Sequence, residues 1–338
     1  MSRRNILSAA NANLLALQAL GGDTPLLVDS GGVFQPGVIA AANASRFTET
    51  FFDEPLTTYA VGFKDPNDIE ATLEFFAPMT PTPERFTYKT TSSAEEFLSD
   101  ADDIRAIGAP FKVVPYSGSE VEARTYNKGL TVIIDRKQQT PGWEQRTVAR
   151  LLRRLWRNDL RRAIALLSAA ATNTAKTWDT TAGKDPDQDV ISELVAAATA
   201  SGIRPNRIGY GDTAWSRRSI SHRAQETAGG FASAMLTPQQ LAQLLGVDEV
   251  RISKERYQTG AATKAEILNN LVLMFMALGG GDLEDASNIK RFVSPVEGGG
   301  NVRVFVQELG PHLVAVTVEH NSNIAITSTL GIRKFTVS

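Results

Sequence analysis

The sequence contains no cysteine and only three histidines, His222, His312 and His320. The absence of cysteine excludes disulfide bonds, thiolate catalysis and any metal site built on cysteine. None of the three histidines has a second histidine or a carboxylate at a spacing distinctive of a metal site. We therefore expect no metal and no cofactor, and we expect each histidine to have a structural role.

The sequence also lacks the short motifs that mark common active sites. It has no GxxxxGKS/T phosphate loop, no HExxH helix, no GxSxG elbow and no GxGxxG after a strand. Aspartate and glutamate are abundant, but no pair of carboxylates is singled out for acid–base chemistry. The sequence therefore predicts a protein that is not an enzyme.

Long apolar runs and a strong charge of one sign are missing as well. The longest apolar run, LVLMFMAL at 271–278, is far shorter than the roughly 20 residues of a membrane span. We expect this run to form a buried helix. Lysine and arginine number 35 against 37 aspartates and glutamates, a formal net charge of −2. This balance argues against a protein whose main task is to neutralise nucleic acid.

The strongest local signal in the sequence is a helix predicted from Thr140 to Asn173. Thr140 is a suitable N-cap, and Pro141 fits the first helical position because its missing N–H costs nothing there. At 1.5 Å per residue the helix would be roughly 45 to 50 Å long, which indicates a spine. Apolar residues recur at helical spacing on one face: Val148, Leu151, Leu152 and Leu155.

Arginines occupy the other face of this predicted helix. Guanidinium groups match phosphate geometry, so the row could contact DNA. Asp159 and Glu144 interrupt the row, which favours a solvated face or salt bridges between subunits, and both interpretations stay open. We expect Arg153, Arg154 and Arg157 to serve contacts outside the monomer, because a folded monomer has no obvious use for them. The row consists of Arg146, Arg150, Arg153, Arg154, Arg157 and Arg161.

The chain before the predicted helix divides into two parts. Residues 1–50 alternate turn formers with short apolar pieces and cannot build a core, so we expect an arm that lies on another surface. Residues 51–136 carry mostly strand signals and predict a long hairpin or flap. This flap includes an acidic segment, which is either a solvated loop or a charged contact with another subunit. Its carboxylates are Glu95, Glu96, Asp100, Asp102 and Asp103.

After the predicted helix, helical and strand signals alternate, which indicates an α/β layer. Helices are predicted at 185–202, 212–226 and 237–246, and strands at 203–211 and 247–253. The chain then ends in an antiparallel meander of three predicted strands. These strands are separated by Gly310, Pro311 and Asn321.

The order of these parts resembles the major capsid protein of tailed double-stranded DNA bacteriophages, whose shell fold encapsulins and herpesvirus capsid floors share. The text RAIGAPFKVVPYSGSEVEARTYNKGLTVIIDR before the helix is similar to a turn and a tyrosine-led strand of that family. After the helix, NTAKTWD, the helix start DPDQD and the unit LAQLLGV resemble the stretch that enters the family's central domain. The resemblance covers residues 85–259.

The resemblance implies an α+β fold with an N-terminal arm, an extended β-hairpin loop, a peripheral domain with the spine helix and a β-sheet, and a central α/β axial domain. The corresponding segments are an arm at 1–50, the extended loop with peripheral strands at 51–136, the spine helix at 137–182, the axial domain at 183–300 and a returning β segment at 301–338.

The resemblance also implies a function. The chain would assemble with itself into pentamers and hexamers of an icosahedral shell around double-stranded DNA, in a virion capsid built in the host cytoplasm. Expected partners are portal and scaffolding proteins and the packaged DNA on the inner face. The sequence leaves open a decoration protein, and no membrane is implied. The six arginines and five carboxylates are then candidate contacts between subunits or with DNA. The alternatives are an encapsulin-type nanocompartment shell and a DNA-binding protein that uses the arginine-rich helix.

Overall fold

The computed structural model describes residues 51–65, 68–91, 119–280, 285–296 and 300–338, with residues 104, 105, 107 and 110. The expected arm and all five carboxylates of the acidic segment lie outside these residues. The chain forms two compact units. Unit 1 consists of Met1–Asn67, Thr125–Trp156 and Val293–Ser322, and unit 2 of Asp68–Arg124, Arg157–Phe292 and Asn323–Ser338. The five segments predicted from the sequence remain a prediction.

Unit 1 is built on three antiparallel strands. Strand β13 (Leu313–Ile326) belongs to this unit up to Ser322, and it lies between β12 (Arg303–Glu308) and β4 (Tyr126–Asp135). Helix α1 (Glu54–Gly62) contacts this sheet through β12. Backbone pairing of Phe52 with Phe305 continues the contact.

Helix α3 (Trp143–Ala170) confirms the predicted spine helix, with ends that differ by three residues on each side. Its residues up to Trp156 belong to unit 1, and the rest belong to unit 2. The predicted apolar face is buried, with Val148, Leu151, Leu152 and Leu155. The helix stops earlier than expected because Thr172–Lys176 forms strand β5.

Two short helices precede the first strand, in a region where the sequence predicts mostly strands. In α1 the side chain of Asp53 accepts a hydrogen bond from the backbone N–H of Leu56 at 2.8 Å, and a proline occupies the first turn. Helix α2 (Ile69–Phe76) follows in unit 2. The side-chain cap and the proline of α1 are local signals that the sequence does contain.

Unit 2 is centred on a five-stranded mixed sheet formed by β5, β6 (Arg207–Gly211), β7 (Glu249–Ser253), β10 (Leu271–Phe275) and β14 (Arg333–Val337). The strand order is β5-β14-β10-β6-β7. Strands β5 and β14 are parallel, as are β6 and β7, and β10 is antiparallel to both of its neighbours. The alternation of helices and strands confirms the predicted α/β layer.

Helices cover both faces of this sheet. On one face, helices α4 (Pro186–Ser201), α5 (Asp212–Ala224) and α7 (Pro238–Leu245) share a core with alternate sheet residues. On the other face, Phe76 of α2 stacks on Phe275, with ring centroids 5.7 Å apart. Strand β10, at the centre of this sheet, is apolar on both faces.

The buried run at 271–278 corrects one prediction from the sequence, since it forms strand β10 and not a helix. Val272 and Met274 belong to the core under α4, α5 and α7, whereas Phe275 packs on α2. A strand buried on both faces reads as a continuous apolar run, and short runs of this kind do not distinguish strand from helix.

A second correction concerns the C-terminal strands. Asn321 was expected to separate two strands, but it lies within the long strand β13, opposite Asn127 of β4. Pairing with a neighbouring strand satisfies the backbone of Asn321, so its turn preference is overridden. Strands β12 and β13 confirm two of the predicted segments, whereas β14 was not predicted.

The remaining elements are short. Strands β2 (Arg85–Thr90) and β3 (Ser119–Arg124) pair antiparallel and contribute two strands of the predicted flap. Within the described part of the chain, no helix is long and apolar enough to cross a membrane. The other short elements are β1 (Met79–Pro81), helix α6 (Ala228–Ala234), β8 (Arg256–Gln258), β9 (Lys264–Glu266) and β11 (Ile289–Ser294).

The close approach of backbone at Gly211 generates a test of the sheet. A Cβ at this position would lie 1.7 Å from the carbonyl oxygen of Leu268 and 1.8 Å from that of Asn269. Backbone atoms cannot move away cheaply, so Gly211→Ala should lower the free energy of unfolding by about 3 kcal/mol or more. Chemical denaturation measures this loss.

Gly229→Ala is the matched control, because no atom lies within 4 Å of the added methyl group. It should leave the free energy of unfolding unchanged or raise it by up to about 1 kcal/mol. Equal stability of the two variants would contradict the packing described at Gly211.

Candidate functional site

The arginines in the first half of α3 differ in their surroundings within unit 1. Arg146 folds back on the start of its own helix, where it donates to the hydroxyl of Thr140 and, at 2.8 Å, to the carbonyl of Pro141. Arg153 donates from Nε to Asp65 Oδ1 at 2.5 Å. The Asp65 side chain is 0 % exposed, so Arg153 neutralises a buried carboxylate.

Aromatic packing also contributes to the environment of Arg153. Its guanidinium carbon lies 5.6 Å from the ring centroid of Phe63, and that ring stacks on Trp156 at 6.0 Å. A cation over an aromatic face is stabilised by the ring quadrupole. Arg153 is therefore part of the packing of unit 1.

The arginines in the second half of α3 hold the hairpin of β8 and β9 within unit 2. Arg157 donates from Nε and Nη2 to Oε2 of Glu255, both at 3.1 Å. The guanidinium carbon of Arg161 lies 4.1 Å from the ring centroid of Tyr257. Asp159, which interrupts the row, is buried and pairs with Arg162 at 2.7 Å. Arg157 and Arg161 therefore have a structural role within unit 2.

Arg150 and Arg154 are different from the other four arginines of the row. Both side chains are exposed, and neither has a hydrogen bond, ion pair or ring contact with any of the residues that the structure describes. They lie four residues apart on α3, so they are neighbours on one helix face. Two positive charges on unit 1 are thus available to a group outside the monomer.

Two of the three arginines expected to contact other molecules have partners within the chain. Arg153, Arg154 and Arg157 were expected to contact other molecules because a monomer had no obvious use for them, and that reason now holds only for Arg154. The structure does not bring the arginine row to the five carboxylates at 95–103, since those residues lie outside the described part. Contacts of the row with subunits or DNA remain a prediction.

Sequence reasoning missed a buried charged cluster in unit 2. Arg218 of α5 is 0 % exposed and donates from Nε and Nη2 to the two carboxylate oxygens of Asp187, both at 2.7 Å. His222 Nε2 lies 3.2 Å from Asp187 Oδ2. Arg218 also donates to the carbonyl of Ser233 at 3.1 Å, and it lies over the ring of Trp215. The cluster connects α4, α5 and the end of α6.

The electrostatics of this cluster favour an ionised Asp187. Burial raises the pKa of its carboxyl, but the close polar contacts with His222 and Arg218 and the charge of Arg218 outweigh burial and bring the pKa below its ordinary value. Burial also raises the pKa of Tyr210, whose hydroxyl belongs to the same core and has no partner among the described atoms.

The sequence carried part of the signal for this cluster. Asp187 falls in the first turn of the helix predicted at 185–202, and the structure places it there. Arg218 and His222 are four residues apart on one helix and share a face. Nothing in the local pattern indicates that this face meets the start of α4, because the contact joins residues 31 positions apart.

The structure offers no further arrangement of catalytic type within the described ranges. No group of three or more histidine, aspartate or glutamate side chains there could hold a metal. A groove of about 470 Å³ lies between α7 and β7. Of the charged side chains that line this groove, Glu249 and Arg251 lie at ion-pair distance, 3.3 Å.

The buried ion pair predicts a specific dependence of stability on pH. Asp187→Asn leaves Arg218 buried without a counter-charge and should lower the free energy of unfolding by about 3 to 5 kcal/mol. In the unmodified chain, the stability from Asp187 is present above the ordinary aspartate pKa of about 3.9. It is lost as the pH falls below that value through the lower pKa of the folded state.

Denaturation at pH 7 and at several values below pH 4 tests both statements. In Asp187→Asn the loss of stability in acid should be smaller than in the unmodified chain. Arg150→Ala is the control and should change the free energy of unfolding by no more than about 0.5 kcal/mol, because Arg150 is exposed and unpaired within the described residues. A stable Asp187→Asn variant would contradict the role of the pair.

Comparison with known proteins gives matches at the level of structure. No family model and no curated protein matches the sequence. A phage-related protein from Bordetella bronchiseptica RB50 has a similar fold, with a TM-score of 0.62, 19% identity, 84% of this chain covered and 96% of that chain.

Two further solved structures are more distant. The capsid structure of the cyanophage P-SCSP1u gives a TM-score of 0.49 at 8% identity, covering 78% of this chain and 87% of that chain. The virus-like particle from Pyrococcus furiosus gives 0.46 at 13% identity, covering 85% of this chain and all of that chain. The likeness to the Bordetella protein shows that the chain shares the fold of a phage-related protein, and the α+β class predicted from the sequence is confirmed.

Proposed function

We propose that this chain is the major capsid protein of a tailed double-stranded DNA bacteriophage. In this role it is a structural protein and not an enzyme, and it assembles with itself into pentamers and hexamers of an icosahedral shell. The observation that carries the proposal is the shared fold with a phage-related protein over 84% of this chain and 96% of that one. The capsid-like text at 85–259 supports the same conclusion independently of the coordinates.

The internal contacts of the chain agree with a structural role. Its charged clusters connect elements of the fold, as Arg218 does for α4, α5 and α6, and as Arg157 does for α3 and the residue before β8. Such contacts stabilise a rigid subunit, and a shell needs subunits that repeat one geometry many times.

The resemblance supplies the remaining partners of the proposal. Portal and scaffolding proteins would act during assembly in the host cytoplasm, and the packaged DNA would lie on the inner face of the virion capsid. A net charge of −2 fits a coat that encloses DNA without condensing it. The alternative of a DNA-binding protein is weakened because Arg146, Arg153, Arg157 and Arg161 already have partners within the chain.

We further propose that Arg150 and Arg154 contact the acidic segment of a neighbouring subunit. Both guanidinium groups are exposed, and no described residue neutralises them. The segment at 95–103 carries five carboxylates, so its charge is opposite to that of the two arginines. Complementary charges of this kind guide the orientation of subunits and exclude wrong pairings.

Electron microscopy of the purified protein tests the proposed function. We expect closed shells or rings of five and six subunits. A protein that stays a dispersed monomer at high concentration would contradict the proposal. Double-stranded DNA inside native particles supports a phage capsid, whereas particles that enclose a protein cargo instead would support an encapsulin-type shell.

Reversal of the two free charges should impair assembly. The double variant Arg150→Glu/Arg154→Glu places like charges against the acidic segment and should reduce the yield of shells by about tenfold or more, since 1.4 kcal/mol corresponds to a factor of ten. Its free energy of unfolding should change by no more than about 0.5 kcal/mol. Light scattering during assembly without DNA measures the yield, so a loss there cannot come from DNA contacts.

Arg153→Ala is the matched control from the same helix. It leaves the buried carboxylate of Asp65 without its cation, so it should lower the stability of the monomer. Normal shell yield from Arg150→Glu/Arg154→Glu would contradict the proposed contact, and this holds for any result with Arg153→Ala.

A further inference from the structure

Two completely buried side chains of unit 2 have polar atoms without a partner. The guanidinium group of Arg218 carries five N–H donors. Nε and Nη2 use three of them on Asp187 and on the carbonyl of Ser233, whereas Nη1 has no hydrogen-bond partner among the described residues. The same is true of the hydroxyl of Tyr210. Both side chains are 0 % exposed, and a polar group buried without a hydrogen bond lowers stability.

The unpartnered atoms of Arg218 and Tyr210 belong to the same region of the core. Tyr210 lies in β6, and α5, which carries Arg218, begins two residues later. Trp215 contacts both residues. Its ring centroid lies 5.4 Å from that of Tyr210 and 4.9 Å from the guanidinium carbon of Arg218. The charges of Arg218 and Asp187 both act on the Tyr210 hydroxyl. Arg218 and Tyr210 are thus neighbours, although no direct hydrogen bond joins them.

Ser221 contributes a third unpartnered polar atom. It lies three residues after Arg218 on α5, so the two residues share a face of the helix. Ser221 is 0 % exposed, and its hydroxyl has no hydrogen-bond partner within the described part of the chain. Three buried polar groups without partners therefore lie where β6 meets α5. A common small ligand would satisfy all three groups at once.

The chemistry of these groups restricts the ligand. Nη1 of Arg218 can only donate, so the ligand must accept a hydrogen bond, which excludes a metal cation. Asp187 already balances the charge of Arg218, so an anion would bring an uncompensated charge into the core. Burial raises the pKa of the Tyr210 hydroxyl, which therefore stays protonated and can both donate and accept. The ligand that fits is a small neutral molecule that also donates and accepts.

We propose that ordered water occupies this junction, where it accepts from Nη1 of Arg218 and bonds to the hydroxyls of Tyr210 and Ser221. A buried water typically makes about three hydrogen bonds to groups that lack other partners. The direct bonds of Arg218 reach α4 and α6, and the water extends this network to β6 of the sheet. The inference concerns the interior of one chain, so it does not depend on the proposed function.

Tyr210→Phe removes only the hydroxyl, and the sign of its effect tests the proposal. If water bonds to the hydroxyl, the variant loses a hydrogen bond, and the equilibrium constant for unfolding should rise by about fivefold to tenfold. If the hydroxyl has no partner at all, the variant removes an unfavourable buried group and the chain becomes more stable. Chemical denaturation of the full-length chain at pH 7 measures this constant. An unchanged or lower constant would overturn the inference.

Tyr257→Phe is the matched control. Tyr257 is only partly buried, and its hydroxyl is not among the buried atoms that lack a partner. Removal of this hydroxyl should change the equilibrium constant for unfolding by no more than about twofold.

A second variant tests whether the two hydroxyls share the water. Ser221→Ala should also raise the equilibrium constant for unfolding. Once either hydroxyl is removed, the water is held less firmly, so Tyr210→Phe/Ser221→Ala should lose less stability than the sum of the two single variants. Additive losses would overturn the shared site.

A crystal structure or an electron microscopy map that resolves ordered solvent gives a direct readout. We expect density at roughly 2.7 to 3.2 Å from Nη1 of Arg218 and at a similar distance from the Tyr210 hydroxyl. A map that shows buried water elsewhere but none at Nη1 would overturn the inference. A peak at Nη1 that depends on chloride in the buffer would overturn water as the ligand.

Discussion

The ion pair between Asp187 and Arg218 is the contact on which the helical layer of unit 2 depends. Both charges are withdrawn from water, and such a pair is stable only when the carboxylate and the guanidinium satisfy each other. The two parallel hydrogen bonds at 2.7 Å join the two groups, and Nη2 also donates to the carbonyl of Ser233, whereas Nη1 has no partner among the described atoms. One side chain thereby fixes the start of α4, the middle of α5 and the end of α6. A helix as short as α6 has little stability of its own, so it needs such external support.

The same principle explains the arginines of helix α3. A guanidinium group on a surface helix contributes little when its partner is also exposed, but it contributes more against a buried acceptor or an aromatic ring. Arg153 neutralises the buried Asp65 in unit 1, and Arg161 lies over Tyr257 in unit 2. The residue type that suggested nucleic acid is therefore used mostly to hold the fold together. The positive charge without a partner among the described residues is confined to Arg150 and Arg154. A charge confined to one place suits binding to a specific partner better than general binding to DNA.

Much of the fold could be predicted because its signals are local. The apolar spacing of α3 and the caps of α4 and α7 are written within single helices, and the structure has all three helices. Two of the failures share one physical cause, which is that tertiary contacts override local preference. The run at 271–278 is a strand because helices cover both faces of its sheet, and Asn321 continues a strand because β4 pairs with it. The partners of Arg153 and Arg218 could not be predicted, since ion pairs across 88 and 31 positions leave no periodic trace.

Rigidity and exposure are linked in this chain. On α6, Phe231 is 49% exposed, and Met235, which follows the helix, is 83% exposed. A side chain such as Phe231 can stay exposed without collapsing onto its own unit only if the backbone beneath it is held in place, and the cap at Thr227 and the contact of Gly230 with α5 hold it. If α6 were mobile, Phe231 and Met235 would lower their free energy by folding onto nearby apolar groups. The buried cluster that fixes α6 is therefore also the reason that an apolar surface persists. A buried ion pair such as Asp187–Arg218 contributes little net stability in comparison with apolar packing. Its role is then the geometry that it imposes on the helices.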